Sequence, residues 1–490
     1  MLSEGRRLMA GLTNEQVDLI ARQLAGRLGG GGAVTEPVTA APRTVFVTSD
    51  EGVYATVDEC VAAARQAYLD LQELSLSKRT EIIAAYRSTM LREAEDLARQ
   101  AREETGMGRF EHKVIKNRLV AEKTPGTEIL QPRTSTGDQG LTLMEWAPFG
   151  VIGAITPTTN PTSTIICNAI GMIAAGNSVV FNVHPGAVLC SMNTVRHLNA
   201  ASISVGGPAN LVTAVAKPTI ASATELMHHE GINLLVVTGG PGVVKAAMKS
   251  GKRAVSAGPG NPPVVVDDTA DLQKAGRDIV HGAGFDNNVI CVDEKEVFVT
   301  AGSGDKLLES MRASGAYVLS KAELRRLEPL IFDEIGGPRT HGTINKKWVG
   351  KNADVILGQI GIKVGPEITL VVADVLEDHP LVWSEQLMPV LPVVKVSHVA
   401  RGIKLAREAE YGFGHSASMH SHDIEQLSRM ARVINTSIFV KNGPIVAGLG
   451  AGGEGYTSFT IASPTGEGLT TPLSFSRQRR CVMVDHFRIV

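Results

Sequence analysis

The sequence predicts an α/β protein built on doubly wound, parallel sheets. Two observations support this prediction. From Trp146 onward, short apolar runs rich in β-formers alternate with helix-compatible segments, and a second alternating region extends from Pro262 to about Asn442. Nearly continuous apolar strands separated by helices are typical of parallel sheets that are covered on both faces. Such sheets bind ligands at the carboxyl ends of their strands, so we expect functional residues there.

Composition and charge exclude several classes of function. A chain of 490 residues is too long for one ordinary domain and indicates two or three. The net charge of −2 and the aromatic content of 4% argue against a nucleic-acid binder and an anionic-membrane binder. Five scattered cysteines do not suggest a disulfide framework, so we expect a reducing cytoplasm. We expect neither a signal peptide nor a membrane span, since no uncharged apolar run reaches about 18 residues.

The amino-terminal segment is predicted to be a helix followed by a linker. Residues 13–28 place Val17, Ile20, Leu24 and Leu28 on one helical stripe, and a Gly-, Thr- and Pro-rich stretch continues to about residue 42. A short amphipathic helix is not stable alone and needs a partner for its apolar face. Docking on its own body and docking on another protein both remain open at this point.

Helices are predicted before the first sheet. Residues 56–106 read as two long amphipathic helices broken near residues 75–77, and residues 107–140 read as less regular. The strand candidates that follow are FGVIGAIT, NSVVFNV, NLVTAVA, INLLVVTG and the shorter RAVSAG. Helices are predicted between them at residues 162–175, 188–201, 220–229 and 243–249.

The second alternating region has its own strand candidates. These are PPVVVDD, KEVFV, VLPVVKV, HSASMHS and SIFVKNG, and a Gly-rich tract follows at residues 443–468. The tail RRCVMVDHFRIV reads as a long edge strand that can pair outside its own domain. The histidines at 228–229 and 420–422 lack the spacing of a metal site and read as surface residues, so no metal is expected.

Cys291 stands in GFDNNVICVDEKEVFV and has two interpretations. A lone cysteine among apolar residues is more often an inert core residue. Against that, Gly284 and the run Asp286–Asn288 suggest a loop just before a strand, and loops on rigid scaffolds carry function. An amide-rich loop can also donate hydrogen bonds to an oxyanion.

Several segments together resemble the aldehyde dehydrogenase superfamily, over nearly the whole chain after residue 42. Phe285, Cys291 and VFV stand in the register of the family's catalytic cysteine loop. SEQLMPVLPVV resembles the segment whose carboxylate holds the nicotinamide ribose, which places Glu385 there and Leu387 near the ring. VVTGGPGVV resembles the pyrophosphate segment, with glycines before a helix whose free N–H groups favour phosphate.

Two departures from the family pattern are informative. Hydrolytic members carry a glutamate that activates water, but AGPGNPP has Ala257 at that position and Gly258 beside it. FNVHPG has Asn182 where a lysine is common and Pro185 where a glutamate often contacts the adenosine ribose. With PTTNPTST, EYGFGHSA and the 451–472 segment, these departures resemble the CoA-acylating aldehyde dehydrogenases, above all the propionaldehyde and acetaldehyde type found in bacterial microcompartments.

The resemblance implies NAD and coenzyme A as cofactors and a short aldehyde as the substrate. Cys291 is then the nucleophile, and its backbone N–H with Asn160 forms the oxyanion hole, although an ungapped alignment places Thr159 there and Asn160 can also simply cap a helix. His415 is a candidate for CoA deprotonation or a structural histidine. A hydrolytic aldehyde dehydrogenase that releases the free acid is the alternative. The implied cofactor-binding residues are Thr156, Pro157, Thr158, Thr159, Asn182, His184, Pro185, Gly239, Gly240, Gly242, Ala257, Gly258, Glu385 and Leu387.

The resemblance also implies an organisation and partners. The expected parts are a targeting helix with linker at 1–42, a Rossmann-type nucleotide-binding domain at 43–260 with an oligomerisation strand near 136–147, a catalytic domain at 261–442, and a returning segment with a second oligomerisation strand at 443–490. We expect residues 13–28 to bind a microcompartment shell protein, the enzyme to lie in the lumen, and the chain to form a homodimer or homotetramer.

Overall fold

The computed structural model describes residues 51–490. The predicted helix at 13–28 and its linker lie outside the described residues. Within 51–490, no helix combines the length and the apolar character that crossing a membrane requires. The prediction of an α/β fold with parallel sheets is confirmed, and three sheets organise the chain.

The chain enters through one short strand and four helices. Side chains cap the first two helices: Thr56 accepts from Glu59 N in a capping box, and Ser75 accepts from Lys78 N. The elements are β1 Val53–Tyr54, α1 Val57–Gln72, α2 Leu76–Arg92, α3 Ala94–Thr105 and α4 Phe110–Lys123. The sequence predicted two helices before residue 106 and an irregular segment after it. The structure instead has three helices before residue 106, because the chain turns at Glu93, where no Gly or Pro marks the break. It also has a regular helix, α4, in the segment predicted to be irregular.

An antiparallel sheet lies apart from the two parallel ones. Its strands are β2 Arg133–Gly137, β3 Gly140–Pro148 and, from the far end of the chain, β20 Ser476–Val484. β20 pairs along the whole of β3, and it ends at Val484, whereas the sequence predicted a strand that continues to Val490.

The first parallel sheet has six strands in the order β1-β6-β5-β4-β7-β8. Its strands are almost wholly apolar and buried on both faces, which is typical of a sheet covered by helices. The remaining elements are β4 Val151–Ile155, α5 Pro161–Ala174, β5 Ser178–Asn182, α6 Val188–Ser204, β6 Val212–Val215, α7 Ile220–His228, β7 Leu234–Thr238, α8 Pro241–Lys249 and β8 Ala254–Ala257.

The second parallel sheet has seven strands in the order β11-β14-β15-β10-β9-β16-β17. The strands are β9 Pro263–Val266, β10 Glu296–Thr300, β11 Ala316–Val318, β14 Leu370–Val375, β15 Val390–Val396, β16 Ser416–His420 and β17 Ile438–Lys441. The helices are α9 Leu272–Gly284, α10 Ala301–Ala313, α11 Lys321–Ile331, α12 Ala353–Gln359, α13 Val399–Ala409 and α14 Ile424–Ile434. Two small hairpins complete the fold: β12 Phe332–Glu334 with β13 Thr343–Ile344, and β18 Ile461–Ala462 with β19 Gly468–Leu469.

One surface prediction is wrong. His420 ends β16 and is only 2% exposed. Burial lowers its pKa to about 4, so it is a neutral core residue. Among residues 51–490, no group of three His, Cys, Asp or Glu side chains is placed to hold a metal ion.

Candidate active site

The candidate site lies where the two parallel sheets meet. In the six-stranded sheet, β5 and β7 lie on opposite sides of β4, so the strand order reverses there. The segments that follow β4, β7 and β8 begin at Thr156, Gly239 and Gly258, at the carboxyl ends of the strands. A reversal of strand order opens a crevice at this edge, which is where open α/β sheets bind ligands. From the other sheet, Cys291 and Glu385 lie shortly before β10 and β15.

These segments line one cavity of about 180 Å³. Nine of the residues singled out from the sequence line it, namely Pro157, Thr159, Asn160, Gly239, Gly240, Gly258, Cys291, Glu385 and Leu387. The other walls are Thr238, Pro241, Pro259, Val289, Ile290, Leu449, Ser458, Phe459 and Ile461. A second cavity of about 200 Å³ shares Pro241, Pro259 and Glu385 with the first and extends to His341 and Phe413.

Cys291 differs from the other cysteines in its position. It is half-buried and lines the cavity, whereas Cys60, Cys167 and Cys190 are buried in the core and Cys481 is exposed. Burial and the nearby Glu385 carboxylate raise the pKa of the Cys291 thiol to about 12. The thiol is therefore protonated at neutral pH in this state of the protein.

The loop before Cys291 is held by its amides. Asp286, Asn287 and Asn288 all adopt left-handed backbone angles, with φ of +44°, +57° and +65°. Asn and Asp tolerate this region better than other side chains. Asn287 Nδ2 donates to Gly350 O at 2.9 Å, and Asn288 Nδ2 donates to the carbonyls of Ala283 and Glu294. The side-chain amides of the two asparagines therefore hold the shape of the loop.

A buried lysine fastens the same loop. Lys295 Nζ donates to Asn288 Oδ1 at 2.6 Å, to Asn288 O at 3.1 Å and to Ile290 O at 3.2 Å. Its positive charge also opposes the effect of Glu385 on the pKa of Cys291. Lys295 thus orders the backbone on the amino-terminal side of the nucleophile candidate.

Asn160 and Thr159 both line the cavity, and the two differ in how they are held. Asn160 stands at the N-cap position of α5, but its side chain makes no capping hydrogen bond. Its Oδ1 accepts from Lys116 Nζ at 2.7 Å, and its Nδ2 lies 3.2 Å from Thr159 Oγ1. The interpretation of the Asn160 side chain as a helix cap is therefore wrong.

Glu385 and Leu387 form the wall on the side of the second sheet. Glu385 is buried, its pKa is raised by burial, and its Oε1 accepts a long hydrogen bond of 3.4 Å from Gly260 N. Leu387 has a φ of +51°, which is uncommon for a residue with a Cβ. Its carbonyl accepts from Gly350 N at 2.9 Å, and that contact holds the turn that presents Leu387 to the cavity.

The start of α8 leaves free N–H groups beside the cavity. Gly240 is the N-cap, has no side-chain cap, and is followed by Pro241 at the first helical position. A Cβ built at Gly240 or Gly242 meets no atom within 4 Å, so the space above this turn is open. Gly242 itself does not line the cavity. An open helix N-terminus in a crevice fits a phosphate group.

The segment that follows β8 brings no acid to the cavity. Ala257 ends β8 and is buried behind the cavity, while Gly258 lines it. Among the lining residues, all within the described chain, Glu385 is the only carboxylate. A base to activate water at the Ala257 position is therefore absent, as the sequence predicted.

Besides Gly242 and Ala257, five implied cofactor residues lie outside the cavity, at or just after the carboxyl ends of β4 and β5. Asn182 Oδ1 accepts from Ser222 Oγ at 2.6 Å, and His184 Nδ1 accepts from Gly186 N at 3.0 Å. Burial lowers the pKa of His184. The five are Thr156, Thr158, Asn182, His184 and Pro185.

His415 also lies outside the cavity, but close to it. It is 1% exposed, its Nδ1 lies 3.1 Å from Ser416 Oγ, and burial lowers its pKa to about 4. A Cβ added to Gly260 would lie 2.9 Å from Cys291 O and 3.0 Å from His415 Cγ. Gly260 therefore separates the imidazole from the backbone of Cys291.

Sequence reasoning missed four residues around the site: Lys116, Gly260, Asp286 as a charged group, and Lys295. Lys116 is hardest to find, because a lysine on a helix normally indicates a solvated face. Lys295 carried a weak signal in its position four residues after Cys291.

Comparison with known proteins agrees with this geometry. The Aldehyde dehydrogenase family matches residues 31–460. Acetaldehyde dehydrogenase (acetylating) EutE of Escherichia coli is 50% identical over 440 residues, covering 90% of this chain and 94% of the relative. The structure of Rhodopseudomonas palustris propionaldehyde dehydrogenase with bound CoA and an acylated cysteine is 50% identical, with a TM-score of 0.86 and coverage of 89% and 98%.

A third relative has a stated cellular context. The propionaldehyde dehydrogenase of a Clostridium phytofermentans fucose utilisation bacterial microcompartment is 46% identical, with a TM-score of 0.86 and coverage of 90% of this chain and all of that one. The family match spans most of the sequence, and these likenesses extend over nearly the full length of each relative. The chain belongs to the aldehyde dehydrogenase family.

Proposed function

We propose that this enzyme oxidises a short aldehyde, propionaldehyde or acetaldehyde, to an acyl-CoA with NAD, through a thioester on Cys291. The observation that carries the proposal is that Cys291 and Glu385 line one cavity in which Gly258, and Ala257 buried just before it, offer no base. The likeness to acetylating and propionaldehyde dehydrogenases supports the same reaction.

Cys291 forms and releases the covalent intermediate. Its thiolate attacks the aldehyde carbon, and the carbonyl oxygen takes the negative charge near the Cys291 N–H and Asn160. NAD, when bound, supplies a hydride acceptor, which converts the thiohemiacetal to a thioester. The thioester carbon then bonds to the CoA sulfur, the bond to Cys291 breaks, and the free thiol of Cys291 is restored. The apolar walls Val289, Ile290 and Phe459 suit a short alkyl chain.

Residues on both sheets fit the cofactor. The open N–H groups after Gly239 and Gly240 would hold the pyrophosphate, Glu385 the nicotinamide ribose, and Leu387 the ring. Asn182, His184 and Pro185, with Thr156 and Thr158, would face the adenosine, and CoA would use an overlapping site. With Pro185 in place of a glutamate, the adenosine contacts differ from those of most relatives in the family.

Transfer to CoA is favoured over hydrolysis by simple chemistry. The pKa of a thiol is several units lower than that of water, so a thiol forms its nucleophilic anion more readily. In a cavity without a base to activate water, the thioester therefore reacts faster with CoA than with water. The test is NADH formation from propionaldehyde with and without CoA, with product analysis. Fast NADH formation without CoA and free acid as the product would establish the hydrolytic alternative instead.

His415 remains a candidate for deprotonating the CoA thiol. Its lowered pKa keeps it neutral at pH 7, so it can accept a proton. Its Nε2 is buried and has no hydrogen-bond partner in the described part of the chain. His415→Ala tests this role: slow acyl transfer with an unchanged NADH burst supports it, and unchanged transfer leaves His415 a structural residue.

We further propose that residues 13–28 direct the enzyme into the lumen of a microcompartment by binding a shell protein. The stripe Val17, Ile20, Leu24 and Leu28 supports this, as does the likeness to a microcompartment enzyme. Deleting residues 1–30 from a fluorescent fusion tests it. Unchanged encapsulation would refute the proposal, and lost catalytic activity would favour a helix that docks on its own body.

The chain is proposed to form a homodimer or homotetramer, with a nucleotide-binding domain at 43–260, a catalytic domain at 261–442, and a segment at 443–490 that returns to the nucleotide-binding domain. β20 leaves Val482, Met483 and Val484 exposed along a strand, and such an edge favours pairing with another copy. Light scattering coupled to size-exclusion chromatography gives the mass, and a monomer at micromolar concentration would refute this part.

A further inference from the structure

A buried cluster of charges joins helix α4 to the cavity. Lys113, Lys116 and Asp286 have side chains that are 2%, 3% and 0% exposed. Both lysines form ion pairs with Asp286, Lys113 at 3.2 Å. Burying charges costs free energy that their mutual attraction often does not recover, so stability alone does not account for the cluster. Two lysines share one carboxylate, which leaves a net positive charge.

Asp286 is fixed to the first turn of α4 from several sides. Its Oδ1 accepts from Arg109 N at 2.7 Å, and its own N–H donates to His112 Nδ1 at 2.7 Å. A Cβ at Gly108 would lie 2.1 Å from Asp286 Oδ1, so only glycine fits beside it. The left-handed backbone of Asp286 is thereby held rigidly against the helix that carries Lys116.

Lys116 connects this cluster to Asn160. Its Nζ donates both to Asp286 Oδ2 and, at 2.7 Å, to Asn160 Oδ1. A charged lysine has donors and no acceptor, so only the oxygen of the amide can face it. The amide nitrogen must then face the other way, where Thr159 Oγ1 lies 3.2 Å from it on the wall that Asn160 and Cys291 share.

We propose that Lys116 is a positioning residue: anchored by Asp286, it holds the Asn160 amide so that its nitrogen donates to the oxygen of a carbonyl attacked by Cys291. The inference rests on the proposed role of Cys291 as the nucleophile. Without Lys116, the amide is free to turn its oxygen toward the developing negative charge, which is repulsive. A donor that is already oriented needs no reorganisation during the reaction.

The protonation of Lys116 agrees with this role. Burial lowers its pKa to about 8, against the opposing attraction of Asp286, while Lys113 lowers it further and Asp293 raises it. His112 nearby is neutral, because burial lowers its pKa to about 4. Lys116 therefore remains mostly a charged donor at pH 7.

The test measures how fast p-nitrophenyl acetate acylates Cys291. Its carbonyl carbon bonds to Sγ through a tetrahedral oxyanion and p-nitrophenolate leaves, so neither NAD nor CoA is needed. We expect Lys116→Met to slow the acylation burst about 10- to 100-fold. The upper value corresponds to complete loss of one oxyanion donor, and the lower value to a donor that is present but poorly oriented. Alkylation of Cys291 by iodoacetamide develops no oxyanion, so its rate should not change.

Three variants serve as controls. In an Asn160→Ala background, Lys116→Met should cause no further slowing, because the two residues act as one unit. Lys113 also pairs with Asp286 but does not contact Asn160, so Lys113→Met removes a similar positive charge and leaves the amide held. Cys291 should be acylated about tenfold faster in Lys113→Met than in Lys116→Met. Asn160→Asp keeps an acceptor for Lys116 but lacks the nitrogen, so it should fold and acylate as slowly as Asn160→Ala.

Several outcomes would overturn the proposal. The first is an acylation rate in Lys116→Met equal to that of the wild type, and the second is equal slowing of acylation and alkylation in that variant. The third is that the losses caused by Lys116→Met and Asn160→Ala add in the double variant. The fourth is a loss of acylation in Lys113→Met as large as that in Lys116→Met. If Lys116→Met does not fold, wild-type acylation by Asn160→Asp refutes the role of the nitrogen. The proposed function fails separately, when the wild-type enzyme forms no acyl-CoA while the ester still acylates Cys291.

Discussion

A substitution at Gly260 can displace Cys291, the proposed nucleophile, without changing the chemistry of its thiol. A Cβ at this position would lie 2.9 Å from the backbone oxygen of Cys291 and 3.0 Å from His415 Cγ. An ordinary contact begins at 3.4 Å, so about 0.5 Å of clearance is missing. Gly260→Ala must therefore displace both the backbone of Cys291 and the buried imidazole of His415, and dense packing leaves little room for that adjustment.

The expected loss follows from that displacement. A shift of 1 Å at a reacting centre can cost about 100-fold, so about half that shift should cost roughly tenfold in acylation rate. Overpacking should also reduce the free energy of unfolding by about 1–3 kcal/mol. The assay is the ester acylation burst at Cys291, combined with urea unfolding.

Gly358 provides the matched control. It is an exposed residue of helix α12, and a Cβ there meets no atom within 4 Å. Gly358→Ala should therefore stabilise the protein by roughly 0.5–1 kcal/mol and leave acylation unchanged. Wild-type acylation and stability in Gly260→Ala would refute the reasoning that the nucleophile and the imidazole are packed rigidly on either side of this glycine.

Three further outcomes are expected. Glu385→Gln removes the charge that raises the pKa of Cys291, so iodoacetamide should alkylate Cys291 faster at any pH below 12; an unchanged rate would contradict that electrostatic link. Burial raises the pKa of Glu294 from 4.5 to about 7. The free energy of unfolding should therefore fall as the pH rises from 4.5 to about 7, because the unfolded chain releases this proton at a lower pH than the folded protein. Glu294→Gln, which keeps an acceptor for Ile445 N, should remove that fall of up to roughly 3 kcal/mol; an identical pH profile in both proteins would contradict it. Asn287→Ala should be about 1–2 kcal/mol less stable in urea than Asn287→Gly, because only glycine adopts the positive φ without strain, and equal stabilities would show that the backbone relaxes.

Much of the fold was predictable because its strands are locally distinctive. Apolar runs such as VLPVVKV match β15 residue for residue. Two of the seven strands of the second sheet were missed for physical reasons. β11 has only three residues, too few to show a period, and β14 contains Asp374, which interrupts its apolar run.

Helix α4 was missed for a different reason, and this one concerns function. Its buried face carries Lys113, Lys116 and Asn117, so an analysis of apolar spacing cannot detect it. The partner that makes burial possible, Asp286, lies 170 residues from Lys116 in the chain. A charged pair at that separation leaves no local signal. The glycines at the start of α8 were easier to find, because a Gly-rich turn before a helix is a local pattern.

The charges around Cys291 determine when its thiol can react. Glu385 and burial keep the thiol protonated, and Asp293 acts in the same direction, whereas Lys295 opposes them. A protonated thiol is a poor nucleophile and resists oxidation. The half-buried position therefore protects Cys291 until a ligand alters its surroundings. A positive charge placed near Glu385 would lower the pKa of Cys291, so an oxidised nicotinamide bound in the proposed position would favour the thiolate of Cys291.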